Sequence, residues 1–211
     1  MITLNSDTAS TSLSKTTKAI LNEYGIKLNK NLGQNYLIDR NKRDQIIQFG
    51  NLTKDDVVLE IGPGIGTLTI ELAKRVKKVI AIEQDSNICQ ILENRLKKEN
   101  IDNVELINDD ALNVEFPKFD KIISNLPYQI SSPITFKFLN YDFQLAILMY
   151  QKEFASRMNG KVGSKDYSRL SAMLYFKCDV DLLTGVSAES FIPKPKVDST
   201  VVRLTPKLPE L

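Results

Sequence analysis

Short apolar runs recur along the middle of this 211-residue chain, at Val57 to Ile61, Lys78 to Ile82, Val104 to Asn108, Lys121 to Ser124 and Leu145 to Tyr150. Longer segments with apolar residues at helical spacing separate them. That alternation is the pattern of βαβ units and predicts a mostly parallel sheet with helices on both faces. Helices are expected from about Asp39 to Phe49 with Asp39 as cap, from Gly66 to Arg75, and from Ser86 to Lys98 with Ser86 as cap. In the last of these Ile88, Ile91, Leu92 and Leu96 share one face. Beyond Tyr150 the rhythm changes, because Val180 to Val186 and Val197 to Leu204 alternate like a hairpin with a long connection. The expected fold is therefore α/β, a mostly parallel seven-stranded sheet with an antiparallel edge strand.

Residues 1 to about 14 are rich in Ser, Thr and Asn and too poor in apolar groups to offset the entropy of ordering. From Lys15 to about Tyr24, Ala19, Ile20 and Tyr24 recur at helical spacing. The chain is divided accordingly into a tail and short helix over 1–26, one domain over 27–205 and a short tail over 206–211. With 42% apolar residues it can build one well-cored domain. No stretch approaches the ~20 apolar residues of a membrane span, and no secretory signal is visible.

Cys89 and Cys178 stand alone, so neither a disulfide framework nor a thiolate zinc site is indicated, and no metal is expected. A cytoplasmic monomer that contacts no membrane is the reading these features support. Histidine is absent. That removes the commonest general base and the Ser-His and Cys-His dyads, so chemistry must run on amides, carboxylates, hydroxyls or a cofactor. The net charge of +2 favours the approach of a polyanion only mildly.

The first apolar run leads into Glu60-Ile61-Gly62-Pro63-Gly64-Ile65-Gly66, where glycines let the backbone turn tightly and approach a ligand. A tight turn without a ligand is the plain alternative. Glu83 ends the next strand about 20 residues on, the spacing at which an acid meets the hydroxyls of a bound ribose. The dinucleotide fingerprint requires a third glycine where Thr67 stands, which disfavours NAD. S-adenosylmethionine needs the glycine turn and the acid without that spacing. Asp110, just after the third run, either accepts a hydrogen bond from the cofactor's adenine amine or caps a helical turn.

Asn125-Leu126-Pro127-Tyr128 ends the fourth run, where ligands collect in open α/β sheets. An amide oxygen beside a flat ring suits the exposed amino group of a nucleobase. That amine is a poor nucleophile because its lone pair is delocalised into the ring. The Asn125 oxygen and a main-chain carbonyl of Leu126 or Pro127 could each accept one amine hydrogen and draw the lone pair back. Pro127 removes a competing donor, and Tyr128 would stack on the base for roughly 1–3 kcal/mol. A strand-capping turn is the plain alternative. The target nucleotide would have to be flipped or unpaired.

Taken together these residues resemble the rRNA adenine dimethyltransferases, a family that includes the erythromycin-resistance methyltransferases. The likeness runs from about Leu28 to Leu204. Asn31-Leu32-Gly33-Gln34-Asn35-Tyr36-Leu37 looks like the family's opening motif, Glu60 to Gly66 like its cofactor loop and Asn125 to Tyr128 like its catalytic motif. Gln151 to Glu153, Tyr167 to Ser171 and Phe191 to Ser199 match later blocks, with Ser168 where glycine is usual.

The resemblance implies a Rossmann-like class I S-adenosylmethionine-dependent methyltransferase. Gln34, Asn35, Leu37, Gly62, Gly64, Glu83, Asp110 and Asn125 would hold the cofactor, and Phe191 would help Tyr128 sandwich the adenine. The implied substrate is a pair of adjacent adenosines near the end of small-subunit rRNA, dimethylated during ribosome biogenesis. Family members usually carry a further helical RNA-binding domain, which is expected to be absent here. A large-subunit rRNA methyltransferase and a non-catalytic RNA-binding assembly factor are the alternatives.

Overall fold

Each apolar run is a strand, and all but the one at Val104 to Asn108 are buried on both faces. The computed structural model describes residues 12–26 and 35–207. In chain order the elements are α1 (Leu13–Glu23), β1 (Tyr36–Leu37), α2 (Arg40–Phe49), β2 (Val57–Ile61), α3 (Thr69–Ala73), β3 (Lys78–Glu83), α4 (Ser86–Lys98) and β4 (Val104–Asn108). There follow β5 (Lys121–Asn125), α5 (Ser131–Phe138), β6 (Leu145–Gln151), α6 (Lys152–Met158), α7 (Arg169–Lys177), β7 (Cys178–Val186), β8 (Phe191–Ile192) and β9 (Ser199–Pro206).

Successive side chains of a strand point to opposite faces. Leu59, Ile61, Ile80, Ile82, Ile122, Leu148 and Tyr150 therefore pack with Phe138, Ala155 and Leu174 of α5, α6 and α7. Val58, Val79, Ala81, Ile123, Ile147 and Met149 pack on the other side with Ile46 and Ile47 of α2 and Leu72 of α3. Leu92 and Leu96 of α4 close the β4 end against Ile70, Val104 and Leu106. A strand buried on both faces loses the polar alternation of a half-exposed one, which is why these runs read as continuously apolar. Each such side chain contributes about 1.5–3 kcal/mol by leaving water.

The main sheet has the order β4-β3-β2-β5-β6-β9-β7, with β4 to β6 mutually parallel. β9 is antiparallel to both β6 and β7, so the reversed strand lies one place in and β7 forms the edge. β1 and β8 make a separate two-stranded ribbon with Leu37 opposite Phe191. The strand order reverses direction between β2 and β5, the switch point at which α/β sheets open a crevice.

Local details depart from the expected boundaries. The helix expected from Gly66 to Arg75 shrinks to Thr69–Ala73, because Gly66 has φ +91° and a Cβ there would lie 2.6 Å from Leu92 Cδ1. Its backbone is committed to a turn against α4. Asp85, not Ser86, caps α4: its extended backbone lets Oδ1 accept the Asn87 and Ile88 N–H groups, while Ser86 is already helical. Asp39 caps α2 as expected, accepting the Lys42 N–H at 3.0 Å. α1 docks through Leu21 on Tyr36, Ile65, Ile88 and Ile91, so it shares a core with the glycine turn.

At the amino ends of β2 and β5 lies a buried ion pair. Lys121 Nζ donates to Asp56 Oδ2 at 2.9 Å and to the Asn51 carbonyl at 2.7 Å. Burial alone would raise the Asp56 carboxyl, but the Thr53 N–H and Lys121 outweigh it and hold it below the usual carboxylate range. A depressed folded pKa means that this contribution is present above the unfolded value and is lost as pH falls through the folded one. Lys121→Met strands the carboxylate and should lower the unfolding free energy at neutral pH by about 3–5 kcal/mol, read from urea denaturation. The gap from wild type should narrow on acidification. A loss below about 1 kcal/mol would remove the pair from the account of stability.

Candidate active site

The β2–β5 ladder is short. Its pairs stop at Val58–Lys121 and Leu59–Ile122, whereas β2 and β3 stay paired to Ile61–Ile82. Beyond that point β2 and β5 part, and the Ser124 hydroxyl spans the gap by donating to the Ile61 carbonyl at 2.6 Å. A cleft of about 470 Å³ opens above it, walled by the carboxyl ends of β2 to β5 and by Asn35, Tyr36 and Leu37.

The glycine turn forms its floor. Gly62 has φ +68°, and a Cβ there would come within 3.0 Å of Pro127 Cγ. Gly64, at φ +56°, leaves room for the Tyr36 ring, whose Cε1 would be 3.1 Å from an added Cβ. Left-handed backbone and close approach together leave glycine as the residue for these positions. The turn is held from the side by Glu83, whose Oε2 accepts the Gly64 N–H at 3.3 Å and whose Oε1 accepts the Asp85 N–H at 3.0 Å. Burial pushes the Glu83 carboxyl up, and those N–H groups oppose the shift. A carboxylate has about four lone-pair sites, so Glu83 retains acceptor capacity toward the cleft.

Two buried polar atoms of the cleft wall have no well-formed hydrogen bond among the described residues: the Tyr36 hydroxyl and Glu60 Oε2. Glu60 is 2% exposed, and burial pushes its carboxyl up to about 8, the Thr69 side chain opposing the shift and the Glu83 charge adding to it. It therefore holds its proton more tightly than an ordinary carboxylic acid. Buried polar groups without partners are uncommon in native folds, and in the wall of a cleft they mark where a ligand's polar atoms belong.

Asn125 ends β5, and its Nδ2 donates to the Asn35 carbonyl at 3.1 Å. With the amide nitrogen tethered, Oδ1 is the acceptor that the side chain offers to the cleft. Tyr128 opens a single 3-10 turn, and its hydroxyl shares a 2.5 Å hydrogen bond with Ser199 Oγ of β9. Burial raises the phenol further above neutrality, so it stays uncharged. Asp110 is a turn cap, its Oδ1 accepting the Leu112 N–H at 2.9 Å, and the same residue lines the cleft.

Of the expected site residues, Asn35, Leu37, Gly62, Gly64, Glu83, Asp110 and Asn125 to Tyr128 all line this one cleft. Phe191 does not. Its register opposite Leu37 turns its ring into the core with Ile46 and Val201, where it is 2% exposed, so no aromatic sandwich with Tyr128 is assembled here. Gln34 lies outside the described residues. Tyr36, Asp85 and Asp109 also line the cleft, although the sequence pattern does not single them out, and Glu60 is marked there only as the start of the turn. For Glu60 a signal exists: a carboxylate inside an otherwise apolar strand is rarely buried without a purpose.

The proton on Glu60 gives a pH-dependent contribution. Its folded pKa lies above its unfolded one, so the native state keeps a proton that the unfolded chain has released, and stability falls as pH rises from ~5 toward about 8. Glu60→Gln removes that loss. Urea midpoints should be similar for the two proteins near pH 5 and favour the variant increasingly up to pH 8. A pH-independent difference would show that Glu60 is ionised when folded.

The family model for ribosomal RNA adenine dimethylase matches residues 25–211. A protein of Methanosphaera stadtmanae named probable ribosomal RNA small subunit methyltransferase A is 54% identical over 191 residues, which is 90% of this chain and 70% of the relative. A dimethyladenosine transferase from Plasmodium falciparum superposes with a TM-score of 0.77 at 43% identity, over 81% of this chain and 63% of that one. The 23S rRNA methyltransferase ErmE superposes with 0.74 at 34% identity, over 82% and 70%. This chain thus spans less than two thirds of the Plasmodium protein's length.

Proposed function

Because this chain belongs to the ribosomal RNA adenine dimethylase family, we propose that its cleft transfers methyl groups from S-adenosylmethionine to the exocyclic amines of two adjacent adenosines near the 3′ end of small-subunit rRNA. It is an rRNA adenine methyltransferase with a class I methyltransferase fold. The observation that carries the site-level reading is the tethered Asn125 amide, whose oxygen stands where the strands part and the glycine turn begins.

The residues present suit the cofactor. Besides Glu60, the acidic residues Glu83, Asp85, Asp109 and Asp110 line the cleft, and among the described residues that line it there is neither Lys nor Arg. Such a wall disfavours a pyrophosphate and favours a cation. The Tyr36 hydroxyl and Glu60 Oε2 are buried and await partners, and the missing side chains of Gly62 and Gly64 leave space for a close approach. Glu83 would accept the ribose hydroxyls, Asp110 the adenine amine, and Asn35, Leu37 and the glycine turn would enclose the remainder. When bound, S-adenosylmethionine supplies an activated methyl group.

The chain's own groups prepare the acceptor. Asn125 Oδ1 takes one hydrogen of the target amine. A main-chain carbonyl of Leu126 or Pro127 takes the other, the Pro127 oxygen using one of its two lone pairs on the Ile130 N–H at 3.2 Å. Two acceptors favour a pyramidal nitrogen with its lone pair directed into the cleft. Tyr128, held through Ser199, offers its ring to the flipped base. The product ammonium loses its proton readily, so a chain without histidine can complete the cycle.

Small-subunit rRNA is favoured over large-subunit rRNA because the relatives near 50% identity bear the small-subunit name, whereas ErmE stands at 34%. Asn125→Ala should reduce methyl incorporation from labelled cofactor into immature small subunits about 10²–10³-fold. Unchanged activity of that variant would overturn the mechanism, and methyl groups on large-subunit rRNA would overturn the substrate.

A further inference from the structure

Lys137 lies in the last turn of α5, the helix entered directly from the catalytic segment. Its Nζ donates to the Ala111 carbonyl at 2.8 Å and to the Val114 carbonyl, and it stands 4.3 Å from the centre of the Phe116 ring. The Phe116 N–H in turn donates to the Tyr141 hydroxyl just past the same helix, at 3.2 Å. All these contacts fall on one segment, the chain leaving β4. At its start Asp109, Asp110 and Ala111 form one wall of the cleft, while Asn125 to Ile130, which lead into α5, form another.

The segment is a turn closed on Asp110. The Asn113 and Val114 N–H groups donate to the Asp110 carbonyl, the Leu112 N–H donates to its Oδ1, and the Asn113 side-chain amide donates to its Oδ2 at 3.2 Å. The Ala111 and Val114 carbonyls are gathered by the lysine. Removal of the ammonium leaves two partly buried carbonyls without that donor and frees the turn to shift, carrying Asp110 with it.

We propose that Lys137 is a positioning residue for recognition of the cofactor's purine, setting the Asp110 turn at the distance from the catalytic wall that the base requires. This rests on the reading of Asp110 as acceptor of the adenine amine. Lys137 touches neither ligand, and its effect is carried by the turn.

The test is calorimetry with two probes, S-adenosylhomocysteine and S-inosylhomocysteine, which carries a carbonyl in place of the amine. Wild type should prefer the first, and Lys137→Met should reduce that preference about tenfold, the scale of one hydrogen bond to a charged group. General loosening of the fold would weaken both probes equally and leave their ratio unchanged. In turnover the variant should raise KM for the cofactor with kcat little altered, and Lys137→Arg should recover part of the preference. Lys137→Gln provides the same reading if the methionine variant does not fold. Retention of the wild-type ratio by the Lys137 variants, with the ratio lost in Asp110→Ala, overturns the proposal and leaves the reading of Asp110 in place. Retention by Asp110→Ala removes the assignment of the amine to that carboxylate and the proposal with it.

Discussion

The contact between Gly62 and Pro127 is the constraint on which the rest of the site depends. The two residues lie beyond the ends of neighbouring strands that separate after two ladder pairs, and their loops meet again so closely that a Cβ on residue 62 would crowd the Pro127 ring at 3.0 Å. One loop presents the glycine turn at the floor of the cleft and the other the Asn125 amide. Their packing converts two flexible turns into a fixed spacing, which matters because reacting atoms misplaced by about 1 Å can lose about 10²-fold in rate. Ser124 below and the Asn125–Asn35 hydrogen bond above brace the same junction.

Around that junction the electrostatics are one-sided. Acidic groups line the cleft, and burial pushes the carboxyls of two of them, Glu60 and Glu83, upward. Basic residues are kept outside or, like Lys137 and Lys121, are spent on carbonyls and on Asp56. The net charge of +2 therefore conceals an anionic hollow, and composition alone could not reveal it.

Much of the sheet was legible because burial on both faces leaves an unmistakable apolar signature in β2, β3, β5 and β6. Boundaries were less so, since they depend on single contacts. Leu92 against Gly66 delays α3, and the extended backbone at Asp85 takes the cap from Ser86. The turn residues Gly62, Gly64, Glu83 and Asn125 were readable from spacing, because their chemistry is local. Tyr36 was not, because its place in the cleft wall depends on a two-stranded ribbon whose other strand, Phe191–Ile192, lies at the far end of the domain in sequence. The same ribbon explains Phe191: a motif names the residue, but register decides which way its ring points.

β9 is the last of the described strands along the chain, yet it occupies a place inside the sheet, between β6 and β7. During synthesis every other described strand emerges first, and β6 and β7 must wait as open edges for residues 199–206. Pairings of such wide sequence separation form slowly. Ser199 arrives with that strand, so the hydrogen bond that orients Tyr128 forms only once the sheet has closed. A nascent chain thereby completes the wall that carries Tyr128 only when its last described strand has been laid into the sheet.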